Sequence, residues 1–341
     1  MRLSDFHYDL PEELIAQQPL PCRDASRMMV VRRDLAVIEH RSIADLPDLL
    51  EGNETVVVND SRVIPARMWA RKESGGAVEL LVVRLHADRF EAMTRCSKPL
   101  RTGQTLTLER TGKTVIVAAI PEPGRALLAC SGAPLPLIQE EGSIPLPPYI
   151  RRDRGWDEQF DRERYQTVYA RLEGSVAAPT AGLHFTPELM QKVTSRGCRF
   201  APLTLHVGPG TFQPVRTENV EEHRMEEERF TVAESTATEV NRARSEGRPV
   251  LAIGTTSVRC LESAGASGRL LAGEGATSLF IRPGHEFRMV DRMLTNFHLP
   301  GSTLILLVAA LAGKDLILRA YAEAVRERYR FYSYGDCMLI V

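Results

Sequence analysis

Four histidines stand beside polar turns or strand ends, where an imidazole could accept or donate a proton. They are His184, His206, His223 and His298. The ordinary pKa of imidazole lies near neutral pH, so a histidine can serve as a general base or a general acid. A single histidine is more often a structural residue, but several beside Gly, Ser and Thr turns indicate a catalytic site.

The stretch from Arg164 to Pro187 combines a loop of small residues with a histidine that directly precedes a helix start. Thr186 and Pro187 have the types typical of an N-cap and a first helical position. Small residues let the backbone approach a bound molecule closely. The substrate-binding residues predicted in this stretch are Gly174, Ser175, Thr180 and Gly182, with His184 at the exit of the loop.

A second candidate turn follows an apolar segment at Pro249–Ile253. It reads Gly254-Thr255-Thr256-Ser257-Val258-Arg259. A strand, a Gly-Thr-Thr-Ser turn and a helix start can bind an anion or a nucleoside through backbone N–H groups. Hydroxyl residues at a helix start are also common as plain caps, so this motif alone is weak evidence.

Several common catalytic motifs are missing from the sequence. The histidines are not arranged as H-E-x-x-H and the cysteines are not arranged as C-x-x-C, which disfavours a zinc site. There is no G-x-S-x-G, no Walker A segment and no G-x-G-x-x-G after a strand. The residues alone therefore indicate an enzyme without naming its reaction.

The composition is that of a cytoplasmic globular protein. The six cysteines are scattered as in a reducing compartment, and the longest apolar run is far shorter than a membrane span. The net charge of −1 argues against a broadly basic nucleic-acid binder, so any RNA contact needs a local basic patch. Arginines number 38 against 5 lysines, which suits phosphate and carboxylate recognition but fits a coding bias equally well.

The chain of 341 residues is long enough for two domains. From Arg67 to about Ala129, short β-rich segments alternate with Gly and Pro turns, as in a small barrel. Strands alternate with helices in the second half, with helices predicted at 234–246, 304–312 and 315–328. We predict an α/β main domain (1–66 and 146–341) with a mixed sheet or barrel-like core, plus an inserted small all-β barrel domain (67–145).

Several long segments together closely resemble one known family, S-adenosylmethionine:tRNA ribosyltransferase-isomerase of queuosine biosynthesis. The resemblance covers essentially the full length of the chain. The segments that carry it are 59–67 (N-D-S-R-V-I-P-A-R), 144–150 (I-P-L-P-P-Y-I), 164–187, 254–259 (G-T-T-S-V-R), 295–300 (T-N-F-H-L-P) and 332–336 (Y-S-Y-G-D).

The resemblance implies a transferase that uses S-adenosylmethionine as a ribosyl donor and consumes it as a substrate, with no further cofactor and no metal. The acceptor would be 7-aminomethyl-7-deazaguanine in the wobble position of a tRNA, and the products epoxyqueuosine-tRNA, adenine and methionine. No membrane partner is expected, and a monomer is expected, although the sequence does not fix the oligomeric state. The alternatives are a non-catalytic RNA-binding module and a metal-dependent hydrolase.

The reaction of that family assigns roles to residues of this sequence. A neutral base would remove a C5′ proton next to the sulfonium, and we expect His184 or His206 to be that base. His298 or Asp291 would assist the departure of adenine. The methionyl carboxylate or ribose would be held by Gly254, Thr255, Ser257 and Arg259, with Asn296 close in space.

Binding of tRNA would need phosphate contacts and a stacking partner for the modified base. The basic run that supplies the phosphate contacts in this prediction contains Arg151, Arg152 and Arg164, with Arg154 and Arg162; a solvated charged face explains it equally well. The candidate stacking partners, each of which could instead be a core residue, are Tyr149, Tyr165, Phe185 and Phe297.

Two positions depart from the family pattern. The segment His223-Arg224-Met225-Glu226 has Glu226 where a second histidine is expected, and Gly301 stands where a bulkier polar or basic residue is common. Any mechanism that requires a histidine at position 226 is therefore weakened.

Overall fold

The computed structural model describes residues 1–152, 156–208, 210 and 217–341. Within them the chain forms strands and helices in two groups, a mixed α/β body and a barrel. The strands are β1 (Arg27–Arg32), β2 (Val37–Ser42), β3 (Thr55–Asn59), β4 (Ser61–Val63), β5 (Arg67–Lys72), β6 (Ala77–Leu85), β7 (Arg89–Cys96), β8 (Thr105–Leu108), β9 (Thr114–Glu122), β10 (Arg125–Ala129), β11 (Leu172–Ser175), β12 (Arg199–Leu205), β13 (Glu228–Val232), β14 (Val250–Ile253), β15 (Gly273–Thr277), β16 (Arg292–Asn296) and β17 (Cys337–Ile340). The helices are α1 (Leu46–Leu49), α2 (Pro134–Glu141), α3 (Glu158–Arg164), α4 (Pro187–Ser195), α5 (Glu234–Ser245), α6 (Thr255–Ala264), α7 (Thr303–Ala312) and α8 (Lys314–Arg326).

The main sheet has nine described strands in the order β15-β13-β12-β3-β14-β16-β17-β1-β2. Its four central strands, β12, β3, β14 and β16, are mutually parallel. The outer pairs β12–β13, β13–β15, β16–β17 and β1–β2 are antiparallel. The sheet is therefore mixed, with a parallel centre whose carboxyl ends share one edge.

Both faces of the sheet are covered, as the continuous apolar runs of β3 and β14 require. Because side chains alternate along a strand, Val57 belongs to the core formed with α5 and α6, where Val240 and Val258 pack. Val56 belongs to the core on the other face, with Leu189 of α4. This arrangement fixes the central strands between two layers.

The barrel is closed, with the strand order β10-β7-β6-β5-β8-β9. Its strands alternate buried and exposed residues, as in β5, where Met68, Ala70 and Lys72 point inward. The fold class predicted from the sequence, an α/β main domain with a mixed sheet and an inserted all-β barrel, is confirmed. The proposed domain limits at 67 and 145 stay a prediction.

One local feature differs from expectation. Helix α2 lies inside the segment predicted to be all-β, because Pro134 at its start and the apolar Ile138 form an amphipathic turn that packs on the barrel core. No helix in the described part of the chain is long and apolar enough to cross a membrane.

Candidate active site

A cleft lies at the sheet edge where β14 and β16 end, which we call the edge cleft. The carboxyl ends of parallel strands are the usual place for ligands in open α/β sheets. The cleft encloses about 690 Å³ of space, including the part open to solvent. It is lined by Tyr149, 178–181, Val207, 254–256, 295–299, Ser302, Leu304, Tyr332 and Ser333.

Gly254 connects β14 directly to α6 along one wall of this cleft. Its φ of +85° is a conformation that a residue with a Cβ rarely adopts. The turn brings Thr255 and Thr256 to the cleft wall, as the sequence predicted for Thr255. Ser257 is buried and its hydroxyl donates to the Ile253 carbonyl at 2.7 Å. Its hydroxyl therefore stabilises the first turn of α6, and its role in substrate binding stays a prediction.

Asn296 and His184 form a buried hydrogen-bonded pair. The Asn296 Nδ2 donates to the Tyr332 carbonyl at 3.0 Å and contacts His184 Nε2 at 3.2 Å. His184 Nδ1 contacts the Ser26 hydroxyl at 2.9 Å. Burial, and then the charges of Arg23 and Arg330, lower the pKa of His184 to about 4. The ring is therefore neutral, accepts from Asn296 and orients its side chain.

Asn296 itself lines the edge cleft, as predicted. Its Oδ1 is buried and has no hydrogen-bond partner among the described residues. Buried polar atoms are almost always paired, so this oxygen is an acceptor for a bound polar group. His184, by contrast, has both ring nitrogens engaged and does not line this cleft.

His298 lines the edge cleft directly. Its Nε2 lies 3.0 Å from the Thr295 hydroxyl, and its backbone N–H donates to the Tyr321 hydroxyl at 3.0 Å. Burial lowers the pKa of His298 to about 3, so the ring is neutral near pH 7. Within the described ranges Nδ1 forms no hydrogen bond. A ligand in the cleft thus meets a neutral imidazole with one nitrogen available.

His206 does not line the edge cleft; its neighbour Val207 does. The His206 ring packs against Gly174, where a Cβ would come within 2.9 Å of the imidazole. Burial lowers the pKa of His206, and the Asp60 carboxylate partly offsets this effect. The absence of a Cβ at Gly174 thus leaves room for this ring, and the φ of +142° independently favours glycine there.

Ser175 and Gly182 are packing residues in the structure. The Ser175 hydroxyl donates to the Ala177 carbonyl at 2.9 Å and accepts from the Val207 N–H at 2.8 Å. Gly182 lies against the Tyr169 hydroxyl. Of the predicted binding residues in this stretch, Thr180 alone lines the edge cleft. Ser175, Gly174 and Gly182 thus have structural contacts in the described residues, and their part in substrate binding stays a prediction.

Asp291 lies at the wrong end of its strand for the predicted role. It precedes β16, whereas Asn296 ends it, so the two are about 16 Å apart along the strand. The Asp291 Oδ2 accepts from the Val250 N–H at 2.8 Å. The expectation that Asp291 assists the departure of adenine is therefore corrected.

Arg259 is 3% exposed and is not among the residues that line the edge cleft. It forms a buried ion pair with Glu228, and its Nε donates to the Leu279 carbonyl at 3.1 Å. Glu228 also accepts from the Gly208 N–H at 3.1 Å. The Nη2 of Arg259 is buried and has no hydrogen-bond partner among the described residues. Arg259 is thus held by an ion pair outside the cleft wall, and its contact with a substrate carboxylate stays a prediction.

The basic run has mixed surroundings. Arg151 is 79% exposed in its side chain and pairs with Glu12 at 2.5 Å. Arg152 forms two hydrogen bonds of 2.8 Å to Asp161 and stacks on Trp156. Arg164 donates to backbone carbonyls. Arg154 lies outside the described residues. Arg151 can still meet tRNA as predicted, whereas Arg152 is held by its carboxylate partner.

Among the predicted stacking residues, Tyr149 and Phe297 line the edge cleft. Phe297, Tyr165 and Phe185 are all fully buried in the cores. The ring of Tyr149 lies 4.6 Å from that of Tyr332. Tyr332 has a φ of +71°, rare for an aromatic residue. Such strain often marks ligand-binding sites. The sequence points to Tyr332 only through the family-like segment 332–336.

The two departures from the family pattern lie apart from the cleft wall. Glu226 forms an ion pair with Arg125 of the barrel at 2.9 Å. Gly301 has a φ of +62°, and a Cβ there would contact Leu3 at 3.4 Å. In the described ranges, no group of three His, Cys, Asp or Glu side chains could hold a metal ion.

The chain is similar over its whole length to known proteins. A family model described as queuosine biosynthesis protein matches residues 3–340. The S-adenosylmethionine:tRNA ribosyltransferase-isomerase of Syntrophotalea carbinolica is 51% identical over 346 residues, covering 100% of both chains. The protein of the same name from Anaeromyxobacter sp. is 49% identical, covering 100% of this chain and 99% of its own. The crystal structure of S-adenosylmethionine tRNA ribosyltransferase from Thermotoga maritima superposes with a TM-score of 0.56 at 35% identity, covering 99% of this chain and 100% of that one.

Proposed function

The chain belongs to the queuosine biosynthesis protein family, and on this premise we propose that it is an S-adenosylmethionine:tRNA ribosyltransferase-isomerase. It transfers and isomerises the ribosyl moiety of S-adenosylmethionine onto 7-aminomethyl-7-deazaguanine in the tRNA wobble position. The products are epoxyqueuosine-tRNA, adenine and methionine. The observation that carries the proposal is that three of the family-like segments, 178–181, 254–256 and 295–298, meet around one cleft.

The edge cleft suits a sulfonium nucleoside. Tyr149 and Tyr332 offer aromatic faces, which attract a cation and stack on a base. Thr180, Thr255 and the Asn296 Oδ1 provide polar groups for a ribose or a base edge. This combination of apolar walls and a few polar groups is typical of small-molecule sites.

Proton transfer is assigned to His298 in this proposal. The sulfonium acidifies the C5′ hydrogens, and removal of one gives an ylide that opens the ribose with loss of adenine. The acceptor amine then attacks, and closure of the epoxide expels methionine. A neutral His298 in the cleft wall can accept the first proton or donate to the departing base, depending on which nitrogen carries its hydrogen.

His184 acts in this proposal through Asn296. The Nε2 of His184 holds the Asn296 amide so that the Asn296 Oδ1 stays in the cleft wall. The sequence-based prediction of His184 or His206 as the base remains a prediction. The contacts of the His184 ring favour positioning over proton transfer, whereas the Nδ1 of His206 is buried and has no hydrogen-bond partner among the described residues. His184 is therefore a positioning residue, and His298 meets the reacting atoms.

The partners follow from the same proposal. The tRNA must reach the edge cleft from its open side, where Tyr149 offers a stacking partner for the modified base. We expect the enzyme to work in the cytoplasm as a monomer, with S-adenosylmethionine consumed as a substrate and no further cofactor. A non-catalytic RNA-binding module or a metal-dependent hydrolase finds no support in the similar proteins.

A product assay tests the proposal. The protein is incubated with S-adenosylmethionine and tRNA that carries 7-aminomethyl-7-deazaguanine, and small molecules are separated by chromatography. Adenine and methionine should form only when both substrates are present. Formation of S-adenosylhomocysteine, as in methyl transfer, or no release of adenine would overturn the proposed reaction.

A further inference from the structure

A second cleft adjoins the edge cleft on the far side of His184, and two arginines line it. We call it the arginine cleft; its walls include Leu20, Cys22, Arg23, Arg164 and Gly335. Ser333 lines both clefts, and His184 lines this one while bonding to Asn296 of the other. The two clefts are therefore neighbours separated by a buried wall.

Arg23 and Arg164 line this cleft, and the charge of Arg330 also acts on His184 in its wall; each guanidinium donates to neutral backbone carbonyls. Arg23 donates to Leu183 at 3.1 Å and to Glu163 at 3.0 Å. Arg164 donates to Leu20 at 2.6 Å and to Pro21 at 3.1 Å. Arg330 donates to Gln18. These bonds orient the guanidinium groups without neutralising their charge.

No carboxylate of the described residues forms an ion pair with Arg23, Arg164 or Arg330. The nearby Asp336 uses both oxygens to accept the backbone N–H groups of Arg27 and Arg330, at 2.9 and 2.8 Å. Arg152, by contrast, is paired with Asp161. The positive charge of these arginines is therefore not balanced by an ion pair among the described residues.

Unused donors accompany this charge. The Nε of Arg164 and the Nη1 of Arg330 are buried and lack hydrogen-bond partners in the described part of the chain. Burial and then the Arg164 charge lower the pKa of Arg23, and burial lowers the pKa of Arg330. Buried charges and orphaned donors are both costly unless an anion pairs with them. The region is thus built for an oxyanion.

We propose that the arginine cleft binds a phosphodiester group of the RNA strand whose modified base enters the edge cleft. The identity of this anion rests on the proposed function. Arginine forks match phosphate oxygens, and a strand that lies across the open sides of both clefts can place a base in one and a phosphate in the other. The buried His184 and Ser333 wall separates this site from the methionyl carboxylate of a substrate held in the edge cleft.

A protection experiment tests the site in the unmodified protein. Cys22 is an exposed thiol on the wall of the arginine cleft. Its rate of alkylation, followed by site-resolved mass spectrometry, should fall several-fold when tRNA carrying 7-aminomethyl-7-deazaguanine is added. S-adenosylmethionine alone should leave the rate unchanged. Protection by S-adenosylmethionine alone, or no protection by tRNA, would overturn the proposal.

Charge variants give an independent measure. Arg23→Gln and Arg330→Gln should each weaken tRNA binding roughly tenfold, and each should reduce the slope of log K against log salt by about 0.7 to 0.9. Arg330→Lys should keep the slope, because it keeps the charge. The matched control is Arg199→Gln, which removes a 53% exposed arginine at the opposite edge of the sheet and should change neither quantity.

Measurements of tRNA binding without turnover test the phosphate site in the arginine cleft separately from the proposed ribosyl transfer. An unchanged salt slope in both glutamine variants would overturn the phosphate site even if adenine is released normally. A raised KM for S-adenosylmethionine with unchanged tRNA affinity would instead assign the arginines to the methionyl carboxylate, and would also overturn it. Circular dichroism of each variant excludes an unfolded protein as the cause of lost binding.

Discussion

Replacement of Asn296 by leucine tests whether this amide organises the edge cleft. The change removes the donors to the Tyr332 carbonyl at 3.0 Å and to His184 Nε2 at 3.2 Å. Each buried acceptor left unpaired costs about 1–3 kcal/mol, so the loss is about 2–6 kcal/mol. Removal of the unpaired Oδ1 offsets about 1–3 kcal/mol of this. If each of the three groups costs the same, the net loss is the cost of one, and we expect Asn296→Leu to lower the free energy of unfolding by about 1–3 kcal/mol.

Urea unfolding measures this change, with the slope m checked for constancy between the two proteins. The matched control is Asn53→Leu, an exposed position where the expected change is within about 0.5 kcal/mol. Saturating S-adenosylmethionine should raise the melting temperature of the wild type more than that of Asn296→Leu, because the variant lacks the Oδ1 acceptor. The assigned role of Asn296 would be refuted if S-adenosylmethionine raised the melting temperature of both proteins equally. It would also be refuted if Asn296→Leu lost no more stability than Asn53→Leu.

Three further predictions follow from the histidines and from Tyr332. His184→Ala and His206→Ala should each keep a measurable single-turnover rate with both substrates saturating; complete loss in either variant would restore that ring as the base. Burial lowers the pKa of His184 to about 4 and of His298 to about 3. Below about pH 6.5 the unfolded chain therefore binds more protons than the folded chain. The free energy of unfolding should consequently fall by a few kcal/mol as the pH drops from about 6.5 to 4. His184→Gln should make this decline shallower in denaturation at several pH values, and an unchanged profile would contradict the neutral buried ring. Tyr332→Gly should be about 1 kcal/mol more stable than Tyr332→Ala, since glycine accepts the φ of +71°, while both should raise the KM for S-adenosylmethionine; equal stability of the two variants would argue against backbone strain.

The sequence predicts the fold well where local patterns and tertiary packing agree. Short alternating segments between 77 and 129 indicate barrel strands, and the apolar run 304–312 indicates α7. The residue types at 277–281 predict a strand there, but β15 spans Gly273–Thr277 instead. Glycines disfavour a strand in isolation, and pairing with β13 overrides this local preference.

The site is less predictable from the sequence, because the direction in which each side chain points matters more than its residue type. Arg259 follows a plausible turn, yet the 3.6-residue period of α6 turns it towards Glu228. Asp291 and His298 are seven positions apart and seem equivalent in the sequence, but β16 separates them by its full length. His184 looks like a base until the positions of Ser26 and Asn296 are known.

The central claim is that ribosyl transfer takes place in the edge cleft with His298 at the reacting atoms. Single-turnover release of adenine, with S-adenosylmethionine and modified tRNA both saturating, tests it most directly in His298→Ala and Asp291→Ala. The account predicts a fall of about 10²-fold or more for His298→Ala and a near-normal rate for Asp291→Ala. A near-normal rate for His298→Ala would contradict it.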